Sequence, residues 1–262
     1  MKFLLLLLTL AISWSTAAIS AEPAECTVKV LQWNIHIGID MTGKFNLRQQ
    51  ADLILKSGAD VVALNEVDKN CLRTGSVDMA KELAALTGMY HQFGGARVLP
   101  PEGLYGNAVL SRYPIRLIGS WLVPATLDET RGVLLVLICA PQPFYVAVTH
   151  LSYRQAENEN RVKAMQFIMK IIKQFAVDHP VILIGDFNCK PDSDPIKVLN
   201  THNWALAQVL NTFPAPAARK PLDYLAHPAN DQRLSVIQRA VIEEKNASDH
   251  LPVMNIIKIT GK

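Results

Sequence analysis

Val181-Ile182-Leu183-Ile184-Gly185-Asp186-Phe187-Asn188 is an aliphatic run that stops on a glycine and then on two polar side chains, two residues apart. An unbroken β-branched and leucine run predicts a strand buried on both faces. The same ending recurs along the chain. Trp33-Asn34, Leu64-Asn65-Glu66 and Val148-Thr149-His150 each close an apolar run, and Ser248-Asp249-His250 stands just before the last one. A single polar residue there ordinarily does no more than cap its strand. Together these clusters predict one shared pocket, because ligands of α/β sheets collect where strands give way to loops.

Between these runs the periodicity alternates. Further strands are expected over 27–35, 60–64, 107–111, 133–139, 144–149, 222–225, 235–242 and 252–259. Pro141-Gln142-Pro143 predicts a tight antiparallel connection between two of them. Helical spacing follows Asn46 as N-cap, follows Asp78 as a second cap, and runs over 156–175 and 194–199. On the long helix Val162, Met165, Ile168, Ile172 and Phe175 share a face. No linker interrupts the pattern, so residues 21–262 are expected to form one mixed α/β domain.

Of 262 residues 50% are hydrophobic and 19% charged, which excludes intrinsic disorder. Residues 1–20 differ from the rest: Lys2, a leucine-rich run to Ile12, then small residues, which predicts a secretory signal peptide. The apolar stretch falls short of the ~20 residues of a membrane span, and no transmembrane segment is expected later. Its removal takes away only the charge of Lys2, so a net charge of +3 becomes still closer to neutral. That balance disfavours a dedicated nucleic-acid binder. The expected product is an exported monomer, periplasmic or secreted.

Export opens Cys26, Cys71, Cys139 and Cys189 to oxidation, and four cysteines allow three pairings. Strand directions place Cys71 and Cys189 at the end where the polar clusters stand and the other two at the opposite end. Cys71–Cys189 and Cys26–Cys139 are the bridges expected on that ground.

The residue types narrow the chemistry. Glu66, Asp186 and Asp249 are hard oxygen ligands, with Asn34 and Asn188 as neutral partners, a set suited to Mg²⁺ or Mn²⁺. His150 and His250 supply proton donors beside it. A cation, carboxylates and imidazoles are the parts that activate water against a phosphate ester. Gly38–Lys44 imitates the start of a P-loop, but Phe45 stands where the Mg²⁺-binding hydroxyl belongs. Serine-hydrolase and zinc-protease motifs are absent from the sequence.

Trp33-Asn34-Ile35, Asn65-Glu66-Val67, Tyr105 to Arg112, Thr149-His150-Leu151, Gly185-Asp186-Phe187-Asn188, Asp223-Tyr224 and Ser248-Asp249-His250 resemble the ordered motifs of the endonuclease/exonuclease/phosphatase superfamily. The likeness spans residues 27 to 260. It implies an α/β four-layer sandwich of the deoxyribonuclease I type, two packed mixed β-sheets flanked by helices. Carried over by position, it implies Glu66 as the principal metal ligand, with Asn34 and Asp249 beside it. Asp186 would activate water, Asn188 and His150 would hold the phosphate, and His250, oriented by Asp223, would face the phosphoryl group. Tyr105 and Asn107 would support the cluster. His36 stands where exonuclease III-like members carry an acid, Asn65 replaces a glutamine, and no lysine follows Glu66 by two residues. These departures argue against an abasic-site nuclease. His36 is expected to bind substrate, as is Arg131, which begins the strand antiparallel to the one ending at His150.

The function expected is therefore a Mg²⁺-dependent phosphoesterase acting on a phosphodiester or phosphomonoester. A secreted nuclease or a sphingomyelinase-like phospholipid hydrolase is the alternative, with Trp121-Leu122-Val123-Pro124 either a lipid-contact loop or an edge strand. A catalytically silent binding protein is the alternative of another class.

Overall fold

The computed structural model describes residues 25–126 and 129–261; the signal peptide expected over residues 1–20 lies outside them. Its elements in chain order are β1 (Glu25–Asn34), α1 (Leu47–Ser57), β2 (Val61–Lys69), α2 (Met79–Thr87), β3 (Tyr90–Leu99), β4 (Gly103–Ser111), β5 (Ile115–Val123) and β6 (Arg131–Ile138). They continue with β7 (Phe144–His150), α3 (Asn158–Phe175), β8 (Val181–Asp186), α4 (Asp194–Thr201), β9 (Trp204–Leu206), β10 (Asp223–Pro228), β11 (Leu234–Val241) and β12 (Val253–Thr260). The strands form two six-stranded sheets, ordered β11-β12-β1-β2-β4-β3 and β5-β6-β7-β8-β10-β9.

Three apolar cores bind these layers into the expected sandwich. The middle one joins the inward faces of both sheets through Val28, Val30, Val136, Val146 and Ile184. A second packs Leu31, Trp33 and Leu64 of the first sheet on Ile54 of α1 and Leu83 of α2. The third packs Leu135, Ala147 and Leu183 of the second sheet on Met165 and Ile168 of α3 and Leu199 of α4. Strands buried on both faces explain why the sequence shows continuous apolar runs rather than alternation. The caps form as expected: Asn46 accepts from Gln49 N and Asp78 from Lys81 N.

Register then gathers the polar strand ends. Each sheet contains one parallel pair, β1–β2 and β7–β8, and parallel neighbours end at the same side. Asn34 lies opposite Asn65, and His150 opposite Asp186. Antiparallel β10 begins where β8 ends, which sets Asp223 opposite Asp186.

Three expectations need correcting. β2 does not stop at Asn65-Glu66 but runs on to Lys69; a bulge shifts its register on β4 between Leu64 and Val67. Glu66 takes a left-handed backbone there, φ 59°, and such bulges re-aim side chains beside active sites. β3, where the sequence pattern predicts no element, is a full strand whose Gly94 is required by crowding: a Cβ there would sit 2.9 Å from Leu134 Cβ on the facing sheet. The third correction concerns the cysteines. All four are free thiols, so neither Cys71–Cys189 nor Cys26–Cys139 forms. Cys189 packs in the α3–α4 core, whereas Cys71 donates to Leu104 O (3.2 Å) on β4 of the other sheet. They share an end of the molecule but not a layer. Cys26 packs against the middle core while Cys139 is exposed.

Of the two readings of Trp121 to Pro124, the edge strand is the one found: Trp121 stacks on Phe175 of α3 at 5.1 Å. Among the described residues, no helix is long and apolar enough to cross a membrane. The thiol assignment has a direct check. Iodoacetamide is expected to label Cys139 on the folded protein and to spare Cys189, whose thiol burial pushes up to about 11. A Cys71–Cys189 peptide in a non-reducing digest would contradict this arrangement.

Candidate active site

Between the ends of the two sheets lies a cleft of about 660 Å³ whose walls include Glu66, Arg131, His150, Asp186, Asn188, Asp249 and His250. Asp186 is its centre. Its Oδ1 accepts from Asn188 N at 2.9 Å and its Oδ2 from Asn34 Nδ2 at 3.2 Å. His150 Nε2 and His250 Nε2 lie 3.5 and 3.7 Å from the same Oδ2. The bend that allows this is Gly185, φ 145°.

Burial is the main force on the carboxyl of Asp186 and raises its pKa, reinforced by the charge of Asp223; His250 and the two donors only partly offset this. His250 shifts the other way from what its burial alone dictates. Desolvation lowers it, but the bonded Asp223, then Asp186 and Asp249, outweigh that and hold the ring protonated well above the ordinary histidine range. His150 is buried, and both desolvation and the cations Arg131 and His250 keep it neutral, well below the ordinary value. One imidazole is thus a cation and the other neutral.

Each group has a dedicated support. Asp223 accepts His250 Nδ1 at 2.8 Å on one oxygen, shared with the hydroxyl of Thr212, and Gln32 Nε2 at 3.2 Å on the other. Asp186, Asp223 and His250 also lie close enough to hold an ion as a trio. Both oxygens of Asp223 already accept bonds, and one of them orients the His250 ring through Nδ1. His250 is further fixed by Phe213, ring to ring at 4.8 Å. Its backbone oxygen accepts from Trp33 Nε1 at 2.9 Å. On the other side Arg131 NH1 reaches Tyr105 OH (3.1 Å) and His150 Nδ1 (3.2 Å), while Glu129 pairs with the guanidinium. Asn188 Nδ2 lies 3.0 Å from His150 Nε2.

Asn34 Nδ2 bridges Glu66 Oε1 (3.1 Å) and Asp186, coupling the two carboxylates. Asn107 and Tyr105 lie behind the wall: Asn107 Nδ2 donates to Gly132 O (3.0 Å) and its Oδ1 accepts from Asn65. His36 is tied to the site through its backbone, whose N–H donates to Asn34 Oδ1 at 3.1 Å. Three successive left-handed residues, φ 47, 48 and 75°, turn the chain at positions 36–38 back toward Phe45.

Two supports escape a reading of the sequence. Asn65 joins both sheets, donating to Asn107 Oδ1 (2.8 Å) and Thr149 O (3.0 Å) and accepting from Asp186 N (3.0 Å). Its position beside Glu66 is a usable signal. Arg239 carries none. Buried on β11, it donates to Asp223 O (2.8 Å), Asn255 Oδ1 (2.8 Å) and Gln208 O (2.6 Å), and so props the Asp223 strand from beneath.

Residues 31–250 match the Endonuclease/Exonuclease/phosphatase family. The uncharacterized protein YbhP of Escherichia coli strain K12 is 32% identical over 177 residues, covering 64% of this chain and 69% of that protein. Among solved structures, an endonuclease/exonuclease/phosphatase from Beutenbergia cavernae superimposes with a TM-score of 0.73 at 23% identity, over 90% of this chain and 72% of that one. A mannosyl-6-phosphatase of Bacteroides thetaiotaomicron superimposes with a TM-score of 0.69 at 14% identity, over 88% and 99% of the two chains. At these identities the structural likeness is one of fold.

Proposed function

The chain belongs to the endonuclease/exonuclease/phosphatase family, and from that premise we propose that it is an exported, divalent-metal-dependent phosphoesterase acting by in-line attack of water. Its chief support is the meeting of Asp186 with a cationic and a neutral imidazole at one end of a cleft. A buried carboxylate whose pKa is raised accepts a proton from water more readily than an ordinary one. His250, cationic and held by Asp223, is placed to offset negative charge that builds on the phosphoryl oxygens. Asn188 and Arg131 bring further donors to the same wall, and Asn188 is held by Leu151 O at 3.0 Å. Preorganised donors of this kind need not reorient as the reaction proceeds.

The donor set fits a hard cation. Glu66 and Asp249 line the cleft with oxygen ligands, and Asn34 adds an amide beside Glu66. A bound Mg²⁺ or Mn²⁺ would supply Lewis-acid charge neutralisation at the ester. A cleft of this volume suits a small phosphate ester, and the near-neutral chain gives little support to a nucleic-acid polymer. The leader-like residues 1–20 support export to the periplasm or medium.

The test uses mature protein with bis(p-nitrophenyl) phosphate and p-nitrophenyl phosphate. EDTA is expected to abolish release of p-nitrophenol, and added Mg²⁺ or Mn²⁺ to restore it. Undiminished turnover in EDTA would overturn the metal dependence, and no turnover of any ester with either metal would overturn the activity.

A further inference from the structure

Beyond the catalytic groups, the same cleft continues over a floor that holds cations and no paired acid. Arg161, in the first turn of α3, lines it although its side chain is only 7% exposed. Its guanidinium donates to Ser152 O (2.9 Å), Arg154 O (2.7 Å) and Gln155 O (3.5 Å), and its Nε has no partner. Carbonyls satisfy some of its donors but leave its charge in place, and buried charges in proteins are ordinarily paired. Among the described residues no carboxylate does so. Lys190 and Lys220, both exposed on the same walls, also lack an ion pair there; Lys220 Nζ rests 5.7 Å from the Phe213 ring. The nearby Asp194 is taken by Lys197 at 2.8 Å and by Asn158. Asn158 and Gln155 at the start of α3 line the floor as well, where Glu157, the buried N-cap, and Glu159 offset the positive end of the helix.

This floor adjoins the reacting centre through the chain itself. Ser152, which accepts from Arg161, follows His150 by two residues, and Lys190 follows Asn188 by two. Two residues span at most about 7 Å of backbone.

We propose that Arg161 and Lys190, with Lys220 at the rim, form a second anion subsite that holds a negative group of the substrate remote from the scissile phosphate. The substrate class is then a small phosphate ester with a second anionic group, such as a sugar bisphosphate, rather than the ester of a neutral alcohol. This rests on the phosphoesterase function proposed above.

Fructose 1,6-bisphosphate and fructose 6-phosphate separate the two classes, with bis(p-nitrophenyl) phosphate as the reference ester. Native protein is expected to favour the bisphosphate by about tenfold or more in kcat/KM, the scale of one charge-assisted contact. Lys190→Ala and the double variant Lys190→Ala/Lys220→Ala are expected to bring that preference toward one, with a larger loss on the bisphosphate than on the reference ester. Among the described residues these lysine side chains make no hydrogen bond, so the variants avoid the loop that Arg161 pins; Arg161→Met is the harsher companion. Equal rates on both sugars in native protein, or equal losses on all three esters, would overturn the subsite. Calorimetric titration of the two sugar phosphates reads it without turnover: a tenfold difference in Kd supports it, and equal or undetectable binding of both overturns it. Absence of turnover with the tenfold binding difference intact would instead overturn the catalytic assignment alone.

Discussion

Asp186→Asn and His250→Ala are each expected to lower kcat on bis(p-nitrophenyl) phosphate by about a thousandfold or more, while the protein stays folded. The asparagine is nearly isosteric but keeps one acceptor oxygen, so it can accept from Asn188 N or from Asn34 Nδ2 and not from both, because these meet different oxygens of Asp186. What it removes is the carboxylate, and with it both the proton acceptor and one of the charges that keep His250 cationic. The alanine at 250 acts from the opposite side. It deletes the cation near the phosphoryl group and leaves Asp223 with Thr212 and Gln32 as its remaining donors. Because the two groups share one Oδ2 neighbourhood, at 3.7 Å, their effects are expected to be strongly non-additive. The double variant should be little worse than the worse single one. Circular dichroism and a melting curve on each variant separate lost chemistry from lost fold. Either single variant retaining a tenth of native kcat would remove that residue from the role given to it.

The catalytic end is legible in the sequence because its residues are punctuation. An apolar run that stops on Asn34, on His150 or on Asp186 announces a strand end, and parallel pairing places such ends side by side. Capping asparagine and aspartate are legible for the same local reason. What the sequence does not show depends on contacts far along the chain. The Glu66 bulge is set by β4, and a period-2 reading takes the break in pattern for the end of the strand. Gly94 carries no strand signal of its own, yet it marks a close approach between two sheets. The expected cysteine pairing fails because strand direction gives an end of the molecule but not a layer of it. Arg239 reaches Gln32 across a separation of 207 residues, and no local pattern marks it. In the sequence Arg161 reads either as a binder of substrate anions or as an ion pair on a helix surface; the loop over 152–155 makes it a member of a cleft floor.

Gly185→Ala is expected to have the largest effect on stability of any single methyl added to this chain. Gly185 pairs with Thr149 across the parallel β7–β8 ladder, and its φ of 145° is a conformation that L residues rarely adopt. A Cβ at this position would stand 1.9 Å from Thr149 O, which is backbone and has no rotamer to yield. The same carbonyl oxygen accepts from Asn65 Nδ2 at 3.0 Å, so retreat would cost the clip between the sheets. Alanine must therefore either hold a strained backbone or force β7 and β8 apart. Strain of this kind costs of order 1–3 kcal/mol and the lost contacts add to it, so a total of about 4 kcal/mol is expected. For a chain of this size that is a fall in Tm of roughly 10 °C. Gly75→Ala is the control, because Gly75 is also left-handed, φ 70°, but has open space around it. Its cost should be the backbone penalty alone, about 1–2 kcal/mol. The two variants melting at the same temperature would show that the contact with Thr149 is not what requires glycine. Activity is expected to fall further than stability in Gly185→Ala. The next residue is Asp186, and a displacement of about 1 Å between it and His150 is enough to cost on the order of a hundredfold in rate.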